Sequence, residues 1–361
     1  MAPNRNHLLI ASIVVGILML VAIIFSGLFY TKTILLTSHN STSSTHNATE
    51  PVHEQRRLAS FAFVGDLGCN GRSNQTLAQI KNTAPAIDRL ILLGDYSYKN
   101  DWKCFQNELV GQGVDRLVHD ADNSFKGVVV GNHEYDNGHF DHLNSIGRTE
   151  FLNYFGLVEK FGANNYSFDY KGVHFTVLDT GGEKGHGTFS INSDTYHFLE
   201  EDLSKSAQNA TIQWRIVLLH KNVYSSPNIG HNSSAAIRDA IQPLADMYNV
   251  DLIINGHTHA YERTYPLKHN SQDPNSPVQI VMNGTSTYTD PEGEIFLTVG
   301  SGGNSHHIWI GPQPTWVAFR DDKSFGFLEI TISADGKTLS GSYLKSDDRR
   351  PIDSFSLSHN S

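Results

Sequence analysis

The sequence predicts an α/β protein in which a largely parallel sheet packs against a second, antiparallel one. Continuous apolar runs rich in Val, Ile and Leu recur along the chain, and each ends in a short polar cluster. Helical patterns lie between several of these runs, and two hairpin signals occupy the later part.

The runs, in order, are SFAFVGD ending at Asp66, RLILLGD at Asp95, GVVVGNHE at Glu134, WRIVLLH at His220 and VDLIINGHTH at His259. A strand covered on both faces loses the alternation of a half-exposed strand, so each run reads as interior sheet. Helical patterns follow at 74–81, 194–206 and 234–248, the second with Asp194 as its expected N-cap. Strand–loop–helix alternation implies parallel pairing. In open α/β sheets, ligand sites lie beyond the carboxyl ends of strands, where these polar clusters would converge. Lys171–Gly172 and Asp335–Gly336 then mark two tight turns between alternating segments.

The N-terminal part has a different character. No charge interrupts the sequence from Leu8 to Tyr30, and a membrane span needs roughly 20 apolar residues. The run is longer than the apolar part of a signal peptide, so residues 1–30 read as an uncleaved anchor, with a cleaved signal as the alternative. Residues 31–57, dominated by Ser, Thr and Asn, read as a flexible stalk. Residues 58–361 read as one catalytic-sized domain. Arg5 and Lys32 flank the span almost evenly, so charge does not orient it. Glycosylation sequons at Asn40, Asn47, Asn74, Asn165, Asn209, Asn232 and Asn283 all follow the span, which places the domain on the extracellular or lumenal side.

The formal net charge of −10 argues against a nucleic-acid partner, because phosphate backbones are held by Lys and Arg. It does not argue against a small phosphorylated substrate, which a local cation cluster can attract. Cys69 and Cys104 are the only cysteines. Neither belongs to a C-x-x-C pair, which argues against a zinc site built on them. A single disulfide and two free thiols both stay open.

The polar strand ends carry Asp66, Asp95, Tyr98, Asn132, His133, His220, His257 and His259. Oxygen donors and imidazoles in this mixture suit Fe, Mn or Zn. Setting His133 aside, seven donors exceed the need of one tetrahedral ion, and two adjacent ions sharing a carboxylate account for the number. Each fragment alone is ordinary: GD is a common turn, and Tyr98 alone would read as a packing tyrosine. Their ordered occurrence after successive strands is what carries the signal.

This ordered set resembles the calcineurin-like metallophosphoesterases, whose fold is a β-sandwich flanked by helices in α/β/β/α layers. Many members carry D-x-H in the first motif, but here position 68 is glycine, and Tyr98 follows Asp95 by three residues. That exchange, with GHTHAYERTYP (Gly256–Pro266) and LTVGSGGN (Leu297–Asn304), is similar to the purple acid phosphatases. Only the stalk precedes the first motif, so the resemblance implies a chain without the N-terminal β domain of the larger plant members.

The resemblance implies that Asp66, Tyr98 and His259 bind one ion, Asn132, His220 and His257 bind the other, and Asp95 bridges both. A phenolate donor favours Fe(III) at the Tyr98 site, with Fe(II), Zn(II) or Mn(II) beside it. It further implies direct attack on phosphorus by a metal-bound hydroxide. His133 is expected to serve the leaving group, and His231 is the second candidate, although its place also fits a surface-loop histidine. Glu134 and Glu262 would either orient metal-bound histidines or form salt bridges, the latter with Arg263. The implied activity is hydrolysis of phosphate monoesters in acid. A phosphodiesterase or nucleotide pyrophosphatase on the same centre is the alternative. A non-catalytic cell-surface binding protein would lack a metal ligand, and none is missing.

Overall fold

The computed structural model describes residues 57–360, apart from short stretches at 84, 100, 123, 136–144, 159–163, 182–188 and 271–277. The predicted anchor and nearly all of the stalk lie outside the described residues. Among the described residues, no helix is long and apolar enough to cross a membrane.

The described chain runs β1 (Arg57–Val64), α1 (Gly71–Lys81), β2 (Arg89–Leu92), α2 (Trp102–Gly111), α3 (Asp115–Val118) and α4 (Ser145–Tyr154). Next come β3 (Tyr166–Tyr170), β4 (Val173–Val177), α5 (Asp194–Ala207), β5 (Trp214–Leu218), α6 (Ala235–Tyr248) and β6 (Leu252–Asn255). The remainder is β7 (Tyr261–Thr264), β8 (Leu267–His269), β9 (Val278–Ile280), β10 (Thr287–Thr289), β11 (Ile295–Val299), β12 (Val317–Asp321), β13 (Gly326–Ser333), β14 (Thr338–Lys345) and β15 (Pro351–Ser358).

Two sheets carry the fold, in the orders β10-β15-β14-β13-β1-β2 and β12-β7-β11-β6-β5-β4-β3. Both are mixed, which corrects the expectation of a largely parallel sheet packed on an antiparallel one, while the packing of two sheets is as expected. Parallel pairing is confined to β1–β2 and β10–β15 in the first and to β4–β5–β6–β11 in the second. Apolar runs report burial on both faces, and two sheets facing each other under outer helices bury their strands just as one doubly covered sheet does.

Alternation within the runs shows this directly. Phe61 and Phe63 of β1 meet Phe175, Ile216, Leu218 and Ile254 between the sheets. Ala62 and Val64 point the other way, into a cluster with Leu77 and Ile80 of α1 and Phe105 and Leu109 of α2. On the far side, Val217 and Ile253 pack with Leu199 and Leu203 of α5 and Ile237 and Ile241 of α6. The layers are therefore α/β/β/α.

Both predicted hairpins form: β3 pairs with β4 around Lys171–Gly172, and β13 pairs with β14 around Asp335–Gly336. GVVVG does not become a full strand; it runs beside β2 through one parallel bridge, Leu92 to Val128. The N-cap of α5 is Ser193, whose hydroxyl accepts from Tyr196 N at 3.2 Å. Asp194 is instead the first helical residue, where its charge faces the positive end of the helix dipole. Cys69 and Cys104 form a disulfide with Cα atoms 6.1 Å apart, which ties the loop after β1 to α2 and removes the free-thiol reading.

Candidate metal centre

The polar clusters meet at one edge of the two sheets, beyond the carboxyl ends of β1, β2, β5 and β6 and beside the end of β11. Backbone bonds stitch the loops together: Asp66 N donates to Gly94 O at 3.0 Å, Gly65 N to Val299 O at 2.9 Å, and Leu219 N to Ile254 O at 3.2 Å. The chain turns sharply as it leaves the strands. Asp66, Asp95, Tyr98 and His257 all have positive φ, between 51° and 69°. Each such non-glycine conformation costs about 1 kcal/mol or more, and strain of this kind gathers at functional sites. Gly94 at φ 94° is required for a second reason: a Cβ there would lie 2.5 Å from His220 Nδ1.

All seven predicted metal donors come together. The Tyr98 hydroxyl lies 2.6 Å from Asp66 Oδ1 and 2.7 Å from His259 Nε2, and His259 Nε2 is 3.3 Å from Asp66 Oδ1. On the other side, His220 Nε2 is 3.1 Å from Asn132 Oδ1 and 3.3 Å from His257 Nδ1. Asp95 Oδ2 is common to both groups, at 3.2 Å from the Tyr98 hydroxyl and 3.2 Å from His220 Nε2. Asp95, His220 and His257 alone place one donor atom each within 4.8 Å of one another.

This donor set fits cations. Metal–ligand bonds of about 2.0–2.2 Å set neighbouring donors about 3 Å apart. The histidine tautomers agree. His220 Nδ1 and His259 Nδ1 face the carbonyls of Leu93 and Ser305, each at 2.7 Å, so each places its proton there and turns an Nε2 lone pair into the site. Gly68 has φ 97°, and a Cβ there would lie 3.1 Å from Asn70 Nδ2 and 3.5 Å from Asn304 Cβ.

Without a cation the electrostatics are unbalanced. Burial, together with the Asp66 and Asp95 carboxylates, pushes the Tyr98 phenol well above its ordinary range. Burial opposes charge on His220, but Asp95 outweighs it and raises the group to about 9. Burial, with His220 and His231 nearby, holds His257 well below the usual histidine range. Unlike-tuned imidazoles and a resisting phenol sharing one space are what a bound cation would reconcile.

His133 and His231 also reach the site. His133 N donates to Asp95 Oδ1 at 2.9 Å, and its Nε2 lies 3.7 Å from Asp95 Oδ2. His231 Nδ1 is 3.1 Å from His257 Nε2, so His231 is not a distant surface-loop residue. Glu134 acts through the backbone, accepting from Asp95 N and Gly131 N at 2.8 Å and from Tyr96 N at 3.0 Å. Glu262 accepts from Ser226 N at 2.9 Å, whereas Arg263 pairs with Asp353, so the salt bridge between neighbours does not form.

Sequence reasoning missed His307. Its ring stacks on His231 at 4.1 Å and on His259 at 3.8 Å, and its Nδ1 accepts from His259 N at 3.1 Å. The signal was present, since GSGGNSHH follows the apolar run of β11 just as the other clusters follow theirs.

Known proteins match this chain in sequence and fold. The family model described as "Calcineurin-like phosphoesterase" matches residues 59–261, and that described as "Iron/zinc purple acid phosphatase-like protein C" matches residues 295–354. Purple acid phosphatase 18 of Arabidopsis thaliana is 32% identical over 75% of this chain and 56% of its own length. Purple acid phosphatase 22 of the same plant is 29% identical over 81% of this chain and 61% of its own. The chain thus spans little more than half the length of these relatives. The solved purple acid phosphatase PPD1 from yellow lupin seeds superposes with a TM-score of 0.70 at 25% identity, covering 83% of this chain and 54% of that one. A dimetal phosphatase from Danio rerio shares the fold at 13% identity, with a TM-score of 0.53 over 84% of this chain and 99% of that one. The chain belongs to the calcineurin-like phosphoesterases, and within them it groups with the purple acid phosphatases.

Proposed function

We propose that this chain is an acid phosphatase that hydrolyses phosphate monoesters at a centre of two metal ions. Asp66, Tyr98 and His259 would hold one ion, Asn132, His220 and His257 the other, and Asp95 both. The observation that carries the reading is Asp95 Oδ2, equidistant at 3.2 Å from the Tyr98 hydroxyl and His220 Nε2. The hard phenolate favours Fe(III) beside Tyr98, and the second ion is Fe(II), Zn(II) or Mn(II). One Arabidopsis relative, 27% identical, carries the name Fe(3+)-Zn(2+) purple acid phosphatase 12, which supports a mixed pair.

Two such ions supply Lewis-acid stabilisation of the phosphoryl oxygens and an activated water at low pH. The protein's own groups do the rest. His133, its side chain 22% exposed and fixed by its backbone bond to Asp95, delivers a proton to the leaving oxygen. His231, held against His257 and stacked on His307, positions the phosphate. Glu134 pins the Asp95 and Gly131 backbones so that Asp95 and Asn132 keep their places.

The predicted span anchors the domain outside the cell or in a lumen. The disulfide fits an oxidising compartment, and the sequons at Asn209, Asn232 and Asn283 are exposed. Comparing a chromogenic phosphate monoester with the matching diester across pH tests the function, with Asn132→Ala as control. Acid-favoured monoester turnover that the control loses is expected. Preference for the diester would move the activity to phosphodiester hydrolysis, and no turnover by protein carrying both metals would overturn the reading.

A further inference from the structure

Three isoleucines stand exposed beside the metal centre. Ile229, Ile308 and Ile310 are 84%, 71% and 50% accessible. They lie on two segments joined by one antiparallel bridge between Asn228 and Trp309, with Ile310 N donating to Pro227 O at 2.7 Å. That register sets Ile229 opposite Ile308 and Pro227 opposite Ile310. Burial separates two sides of this pairing: Pro227, Ile229, Ile308 and Ile310 are exposed, whereas Asn228 is buried and Trp309 half-buried.

The back of the ribbon is fastened to the protein. Asn228 Nδ2 donates to His231 O at 2.9 Å and to Ser226 O at 3.1 Å, and Trp309 N donates to Asp322 Oδ2 at 3.0 Å. The front offers only hydrocarbon to solvent. Its inner end leads straight into the site: Ile229 is two residues from His231, Ile308 adjoins His307, and those two rings stack at 4.1 Å. Exposed apolar side chains gathered beside a polar site, and not scattered singly, are what a ligand-binding groove presents.

We propose that this ribbon is a substrate lip, which takes the apolar body of an alkyl or aryl phosphate monoester while the phosphate sits at the metal centre. The inference rests on the phosphatase reading above and adds the substrate class. A sugar or nucleotide leaving group would find no hydrogen-bonding side chain on the isoleucines, whereas an alkyl chain leaving the site past His231 and His307 would cover them.

The test is a series of n-alkyl phosphates from ethyl to hexyl, hydrolysed by the full metal-loaded chain and by an Ile229→Ser, Ile308→Ser, Ile310→Ser variant. Full burial of a methylene is worth roughly fourfold, so an open lip should give about twofold per methylene in kcat/KM, or about 16-fold across the series. The variant should lose this gradient and keep ethyl phosphate turnover, because the three exposed side chains hold neither metal nor proton. A flat series in the unaltered chain, or an unchanged gradient in the variant, overturns the lip. Calorimetric affinities of the matching alkylphosphonates separate the two readings. Graded affinity without ester turnover would keep the lip and sink the phosphatase, and turnover without any gradation would do the reverse.

Discussion

Replacing Asp353 by alanine should cost about 3–5 kcal/mol of stability, because it strands a buried guanidinium. Asp353 on β15 accepts from Arg263 Nε at 2.7 Å, Arg263 Nη2 at 2.8 Å and the Tyr261 hydroxyl at 2.8 Å. The side chains of Arg263 and Asp353 are only 4% and 5% exposed. Two charge-assisted bonds at about 1.5–3 kcal/mol each reach the same range independently. Domains carry only about 5–15 kcal/mol in total, so the loss is large. The pair joins β7, which follows the GHTH motif directly, to the opposite sheet. Urea unfolding followed by circular dichroism measures the change. Arg263→Met combined with Asp353→Leu should recover most of the loss, since neither charge then has to be buried. Turnover per folded molecule should hold, because Arg263 and Asp353 are not among the metal donors. A loss below about 1 kcal/mol for Asp353→Ala, or a double variant as unstable as the single, would refute the reasoning.

Three further outcomes are expected. Burial pushes the Glu262 carboxyl up to about 7, against the bonds from Ser226 that favour its charge. A raised carboxyl value means the folded state holds the proton more tightly, so its stability is complete below the unfolded value and falls as pH climbs to about 7. Glu262→Gln should remove up to about 3 kcal/mol of that fall, seen as a gain over the unaltered chain at pH 8 that is absent at pH 4. Cys69 and Cys104 are 35 residues apart in sequence, and opening a loop of that size by Cys69→Ser with Cys104→Ser should lower stability by about 4 kcal/mol in denaturant unfolding. Asp95→Asn keeps the shape of the atom common to both donor groups but not its charge; elemental analysis should show fewer than two ions per chain, and turnover should drop by more than about 100-fold.

The donor set was legible because each donor leaves a strand end within a few residues of an apolar run. Asp66, Asp95, Asn132, His220 and His257 follow their runs so closely that strand placement alone brings them to one edge. Tyr98 was legible only through its pairing with Gly68, since a tyrosine six residues beyond the end of β2 otherwise looks like packing. His307 escaped because its cluster follows β11, a run noted for its resemblance and not for its polar end. That two sheets pack together under helices was legible; which strands enter which sheet, and in what order, was not. Phe61 and Ala62 face different cores, yet both are simply apolar in sequence.

What the sequence determined by itself is local: which stretches are buried on both faces, where each run turns polar, and which donor types stand at those turns. These follow from residue chemistry and from spacing along one strand. What tertiary structure alone decided is long-range: the division of the strands between two mixed sheets, the pairing of Cys69 with Cys104, the stacking of His307 between His231 and His259, and the meeting of Ile229 with Ile308 and Ile310. Each depends on register between segments far apart in the chain, and register is set by how whole faces pack together, which no short stretch of sequence carries.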